Sequence, residues 1–110
     1  MLFLVMGCSN VYEERKIISY EEVNEIIKNY EELENVYIID VREESEFNEG
    51  HLINAINIPL YELEARVESR IKDKNTIIIA YCSAGIRSKK AVKILKKLKY
   101  SNVFNIKEGV

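Results

Sequence analysis

Tryptophan is absent from this chain, histidine and proline occur once each, and there are only two cysteines and four glycines. With cysteine at positions 8 and 82 alone there is no CxxC pair. One imidazole, His51, leaves too few ligands for a zinc site of the usual nitrogen and sulfur type, so no metal is expected. Two thiols could close one disulfide at most, which excludes a disulfide framework. Scarce glycine and a single proline leave little room for long flexible linkers. A formal net charge of −2 provides no electropositive footprint, so no nucleic-acid partner is expected. What is present is an ordinary globular balance: 110 residues, 47% apolar and 31% charged, enough for one domain with a single core.

The N-terminus stands apart. Met1 to Met6 is apolar, Gly7-Cys8 follows, and the chain then turns polar at Ser9-Asn10. Such a run cannot span a bilayer, which takes about 20 residues. It resembles the end of a bacterial lipoprotein signal, in which an apolar region and a small residue precede a cysteine that is lipidated after cleavage. On that reading Cys8 is the lipidation site, residues 1–15 are leader and tether, and the protein is anchored to a membrane outside the cytoplasm. The alternative is an apolar leader packed as an edge strand or left disordered on a cytoplasmic protein. The globular domain is expected over residues 16–110.

Along that domain, Ile17-Ile18 reads as a short strand. Ser19 and Glu22 have the spacing of a capping box, and Val23, Ile26, Ile27, Tyr30 and Leu33 then recur at helical spacing. Val36 to Val41 is apolar throughout except for Asp40 near its end, as a parallel strand covered on both sides would be. A polar stretch from Arg42 to Leu52 predicts a short helix and a turn. Ala55 to Ile58 is a further strand, closed by Pro59. Leu60, Leu63, Val67 and Ile71 mark the next helix, Thr76 to Tyr81 the next strand, and Lys89 to Lys99 a helix whose buried face is Ala91, Ile94, Leu95 and Leu98. Asn102 to Ile106 is the last strand. Alternating strands and helices at this spacing predict an α/β fold with a mostly parallel sheet of about five strands and helices on both faces. Ligands of such sheets sit outside the carboxyl ends of the strands, where Asp40 and Cys82 both lie.

The chemistry is expected in the loop Cys82-Ser83-Ala84-Gly85-Ile86-Arg87-Ser88. A cysteine there leaves a strand and meets a helix N-terminus, whose unpaired amides and positive dipole end favour a thiolate over a thiol. Arg87 adds a permanent cation. Gly85 suits a backbone conformation closed to bulkier residues, and Ser88 is placed to cap the helix. The competing reading of Cys82 is a buried structural thiol. Lys89 and Lys90 are read as a solvated face that can also draw in anions.

Asp40-Val41-Arg42-Glu43, Glu46-Phe47, Gly50-His51-Leu52, Ala55, Asn57-Ile58-Pro59 and the loop from Cys82 to Ser88 together resemble the rhodanese (sulfurtransferase) family, in order and spacing, from about Ser19 to Gly109. The resemblance implies a rhodanese-like fold, no cofactor, and a two-stage sulfur transfer. Cys82 would attack the outer sulfur of thiosulfate or a similar small donor, form a persulfide, and pass the sulfur to a thiol or cyanide, or to an acceptor protein. The amides from Ser83 to Ser88 would cradle the anionic sulfur. Asp40, Arg42, Glu46 and His51 would support the loop, with His51 a partner for Asp40 rather than a general base. Two roles are open for Arg87: contact with the donor's sulfonate, or an ion pair with Glu46 or Asp40. Members of the family usually continue beyond the last strand through a second glycine and a short helix. Here Glu108 precedes Gly109 and that helix is expected to be missing.

Two rivals deserve comparison. Phosphatases and arsenate reductases of similar fold use a Cys-x5-Arg loop, whereas only four residues separate Cys82 from Arg87. The tighter cradle suits a sulfur atom better than a tetrahedral phosphate. Rhodanese modules that merely bind a partner protein commonly lack the cysteine, and this chain keeps it.

Overall fold

The computed structural model describes residues 17–19, 21, 22, 24, 25, 28 and 36–106. The leader with Cys8, the apolar face Val23, Ile26, Ile27, Tyr30 and Leu33, and the stretch 107–110 lie outside the described residues. The capping box is present: the Ser19 amide donates to Glu22 Oε1 at 3.0 Å, and the Glu22 amide donates to Ser19 Oγ at 3.3 Å.

Among the described residues, residues 21, 22, 24, 25 and 28 are helical, and the elements whose bounds are defined follow in the order β1 (Ile17–Ile18), β2 (Val36–Asp40), α1 (Glu44–Glu49), β3 (Ala55–Asn57), α2 (Leu60–Arg70), β4 (Ile77–Tyr81), α3 (Ile86–Lys97) and β5 (Asn102–Ile106). These strands pair in parallel in the order β1-β5-β4-β2-β3, with Asp40 opposite Tyr81 and Ala80 opposite Asn105. From β2 the chain steps outward to β3, then crosses back over β2 to reach β4 and continues to β5 on the other side. Order therefore reverses between β2 and β4, and such a reversal opens a crevice at the strands' carboxyl ends.

Side-chain alternation divides the sheet into two faces. Ile39, Val41, Ile78, Ala80, Cys82 and Val103 point toward Leu63 and Val67 of α2 and Ala91, Val92 and Leu95 of α3. Ile38, Ile79, Tyr81 and Ile106 point the other way and pack with Leu52 and Phe104. Ile39, Ile78 and Ile79 are fully enclosed, each contributing about 1.5–3 kcal/mol of transfer free energy. The first of these faces carries the cysteine.

Helix α3 departs from expectation at its start. It begins at Ile86, three residues before Lys89, so three of the seven expected loop residues are already helix. Its buried stripe is accordingly Ser88, Ala91, Val92 and Leu95, while Ile94 and Leu98 are half-buried at its edge. Its end is a Schellman motif: the Tyr100 amide donates to Leu95 O and the Lys99 amide to Lys96 O, with Lys99 left-handed at φ 79°.

Candidate active site

The end of β4 determines how Cys82 is held. Tyr81 still belongs to the ladder, its carbonyl accepting from the Val41 amide at 3.1 Å. The chain then turns through Ser83 and Ala84 to Gly85, which adopts φ 89° and ψ −13°. That left-handed conformation disfavours a residue with a Cβ, and it reverses the backbone so that the first turn of α3 faces the sulfur. The Gly85 amide donates to Cys82 Sγ at 3.0 Å and the Ser88 amide at 3.3 Å. Ser88 is the third residue of α3, and its amide is one that a helix normally leaves for an N-cap side chain. Here the cysteine sulfur occupies that place.

Ser88 is therefore not the cap expected from the sequence. Its hydroxyl lies inside the helix, 3.5 Å from Cys82 Sγ, 3.3 Å from Gly85 O and 2.5 Å from Asn105 Oδ1. A helix starting at Ile86 turns this side chain toward the sheet instead of back along its own N-terminus.

Cys82 is buried and is a free thiol. Burial pushes its pKa up, but the Ser88 hydroxyl and the amides of Ser88, Gly85 and Ala84 stabilise the anion more, and the net direction is down. Ser83, Ala84 and Ile86 around it are exposed. Arg87 donates to both Glu46 oxygens at 2.8 and 3.2 Å, and to Ser83 Oγ at 3.0 Å. Of the two roles open to Arg87, the structure displays the ion pair, and with Glu46 rather than Asp40. Glu46 also accepts from the Glu43 amide at 2.8 Å and so caps α1. The hydrogen bond from Arg87, followed by that from Glu43, lowers the Glu46 pKa to about 2.

The end of β2 carries a different arrangement. Asp40 is fully buried and accepts from the Arg42 amide at 2.9 Å, from Nε at 3.0 and 3.1 Å, and from Nη2 at 2.8 Å. Arg42 Nη2 also donates to Gly50 O at 2.6 Å, and its guanidinium lies 5.7 Å from the Tyr81 ring centre. The Asn57 amide group donates to the carbonyls of Asp40 and Arg42, both at 3.0 Å, clamping the turn out of β2. His51, expected beside Asp40, is instead exposed: its Nδ1 lies 2.9 Å from Phe47 O and its ring stacks on Phe47 at 3.7 Å. Arg42 displaces it because residues i and i+2 of an extended chain share a side.

The loop and the β2 turn meet through Tyr81 and through the Arg87–Glu46 pair. Tyr81 OH accepts from the Leu52 amide at 3.0 Å, and burial holds its hydroxyl up at about 12, so it stays neutral. Cys82, Ser88 and Arg87 thus form one assembly, and Asp40 and Arg42 another beside it. Asn57, Tyr81 and Asn105 are contributors that sequence reasoning passed over. Their signal is visible in hindsight as polar groups within largely apolar strands, although β5 holds a second one, Asn102.

The sequence pattern of the Rhodanese-like domain matches residues 19–110. The chain belongs to the rhodanese-like domain family. Within it, thiosulfate sulfurtransferase PspE of Escherichia coli strain K12 is 40% identical over 67 residues, 61% of this chain and 64% of that protein, so less than two thirds of that relative's length is spanned. The uncharacterized protein YqhL of Bacillus subtilis is 34% identical over 106 residues, 96% of this chain and 79% of that one. Among solved structures, a rhodanese with anions from E. coli superposes with a TM-score of 0.62 at 38% identity, covering 64% of this chain and 82% of that one.

Proposed function

We propose that the protein transfers a sulfane sulfur from thiosulfate or a similar donor to a thiol or cyanide acceptor through a persulfide on Cys82. The observation carrying this reading is the pair of amides that donate to one sulfur, Gly85 at 3.0 Å and Ser88 at 3.3 Å, with Ser88 Oγ 3.5 Å away accepting from the thiol. Fixed donors of this kind stabilise a sulfur anion in both its forms, thiolate before transfer and persulfide after it.

In the first step the Cys82 thiolate attacks the outer sulfur of thiosulfate. The sulfur–sulfur bond to the sulfonate breaks, and its electron pair leaves on sulfite. Cys82 now carries one extra sulfur with one negative charge, and total charge is unchanged. In the second step cyanide attacks that outer sulfur, thiocyanate leaves, and the thiolate returns. Arg87, tied to Glu46 and Ser83, holds the loop in register with α1, while the backbone does the binding.

Thiocyanate formed from thiosulfate and cyanide tests the reading. The wild-type protein is expected to turn over, and Cys82→Ser to fall to the uncatalysed rate. Turnover retained in Cys82→Ser would contradict the assignment.

A further inference from the structure

Ser88 and Asn105 form a buried polar pair on the face otherwise filled by Ile78, Ala80, Ala91, Val92 and Val103. Asn105 follows Val103 by two residues in β5, so alternation turns both toward α3. Asn105 is 2% exposed and its Oδ1 accepts the Ser88 hydroxyl at 2.5 Å. Ser88 Oγ in turn accepts the Cys82 thiol across 3.5 Å.

A hydroxyl carries one proton. While Cys82 is a thiol, the chain runs from S–H to Ser88 Oγ and from Ser88 O–H to Asn105 Oδ1. Once Cys82 has lost its proton to solvent, the sulfur can only accept, and Ser88 serves it by donating. Ser88 can then give nothing to Asn105, whose oxygen would face a hydroxyl oxygen with no proton between them. An asparagine resolves this by a half-turn of its amide, which brings an N–H to Ser88 Oγ in place of the oxygen. Neither an ionised aspartate nor a leucine can serve both states.

We propose that Asn105 is a positioning residue that sets the direction of the Ser88 hydroxyl, accepting its proton while Cys82 is a thiol and donating to its oxygen once the sulfur is an anion. The catalytic use of that anion rests on the sulfur-transfer reading; the ionisation itself does not. Asn105 touches no reacting atom and acts through Ser88 alone.

The test is the rate of iodoacetamide alkylation against pH, followed on the Cys82 peptide by mass spectrometry so that Cys8 does not contribute. Asn105→Asp, when ionised, accepts only, and keeps the Ser88 proton from the sulfur. At pH 7 it is expected to slow alkylation about tenfold and to move the profile to higher pH by about one unit. In a Ser88→Ala background the same substitution is expected to cost about threefold or less, since only the through-space charge remains. Equal effects in the two backgrounds would overturn the proposal. If circular dichroism shows Asn105→Asp to be unfolded, Asn105→Leu replaces it. It is expected to slow alkylation at pH 7 about threefold when Ser88 is present and not at all in Ser88→Ala, because the support of one hydrogen bond by the next is lost. A wild-type profile in Asn105→Leu would overturn the proposal. No sulfur donor is used, so a protein that shows these shifts but never loads sulfur refutes the proposed activity and leaves the role of Asn105 standing.

Discussion

Strands β2 and β4 lie side by side with Asp40 opposite Tyr81, and the carboxyl end of each carries a buried polar group, Asp40 and Cys82. The two ends treat that group in opposite ways. Asp40 is saturated: both its oxygens are taken by the Arg42 side chain, with the Arg42 amide in addition. A buried carboxylate so paired has its charge cancelled and nothing left to offer a substrate. Cys82 meets neutral groups, the Gly85 and Ser88 amides that donate to it and the Ser88 hydroxyl beside it, while the nearby cation Arg87 is engaged by Glu46. Its anion is stabilised without being neutralised. Burial with a counter-ion makes an anchor, and burial against neutral donors leaves the charge of the anion in place.

The sharpest way to break this comparison is to remove the counter-ion at β2. Arg42→Met leaves Asp40 enclosed and unpaired, and is expected to destabilise the fold by about 3–5 kcal/mol in urea denaturation. For a domain whose total stability is roughly 5–15 kcal/mol, that is a large fraction. A loss below about 1 kcal/mol would show that Asp40 does not depend on its arginine.

At β4 the expectation is reversed. Cys82→Ser keeps an acceptor for the Gly85 and Ser88 amides, and is expected to cost about 1 kcal/mol or less in the same denaturation series while removing all sulfur transfer. A loss comparable to that of Arg42→Met would make the cysteine a structural residue.

The smallest effect belongs to the Glu46–Arg87 pair. Both side chains are 34% exposed, so solvent screens the pair and its worth is about 0–1 kcal/mol. Folding lowers the Glu46 pKa from 4.5 to about 2. A depressed carboxylate contributes stability that is fully present above its unfolded value and lost as pH falls through the folded one. Glu46→Gln should therefore lower the melting temperature slightly at pH 7, with the difference from wild type closing between about pH 5 and 2. A difference that persisted unchanged to pH 2 would remove the ion pair as its cause.

Much of the fold was legible in the residues. The isoleucine-rich run in β4, the apolar run ending in Asp40, and the Leu60, Leu63 and Val67 spacing each specify an element with one dominant periodicity. The cysteine at the end of β4 was legible for the same reason. The register of α3 was less so, because its start depends on the left-handed turn at Gly85, a choice of backbone conformation that periodicity does not report. Partner choice was the least legible. Asp40 takes Arg42 rather than His51 because i and i+2 share a side on extended chain. Asn105 reaches Ser88 only after β5 and α3 are packed, across a separation of 17 residues.

The central claim is that Cys82 is held as an activated sulfur, and intact-protein mass spectrometry tests it most directly. Reduced protein is incubated with thiosulfate, desalted and weighed, then treated with cyanide and weighed again. A gain of one sulfur atom, located on the Cys82 peptide and discharged by cyanide, is expected. No gain with thiosulfate or any other sulfane donor, in protein whose Cys82 is shown to be reduced, would contradict it.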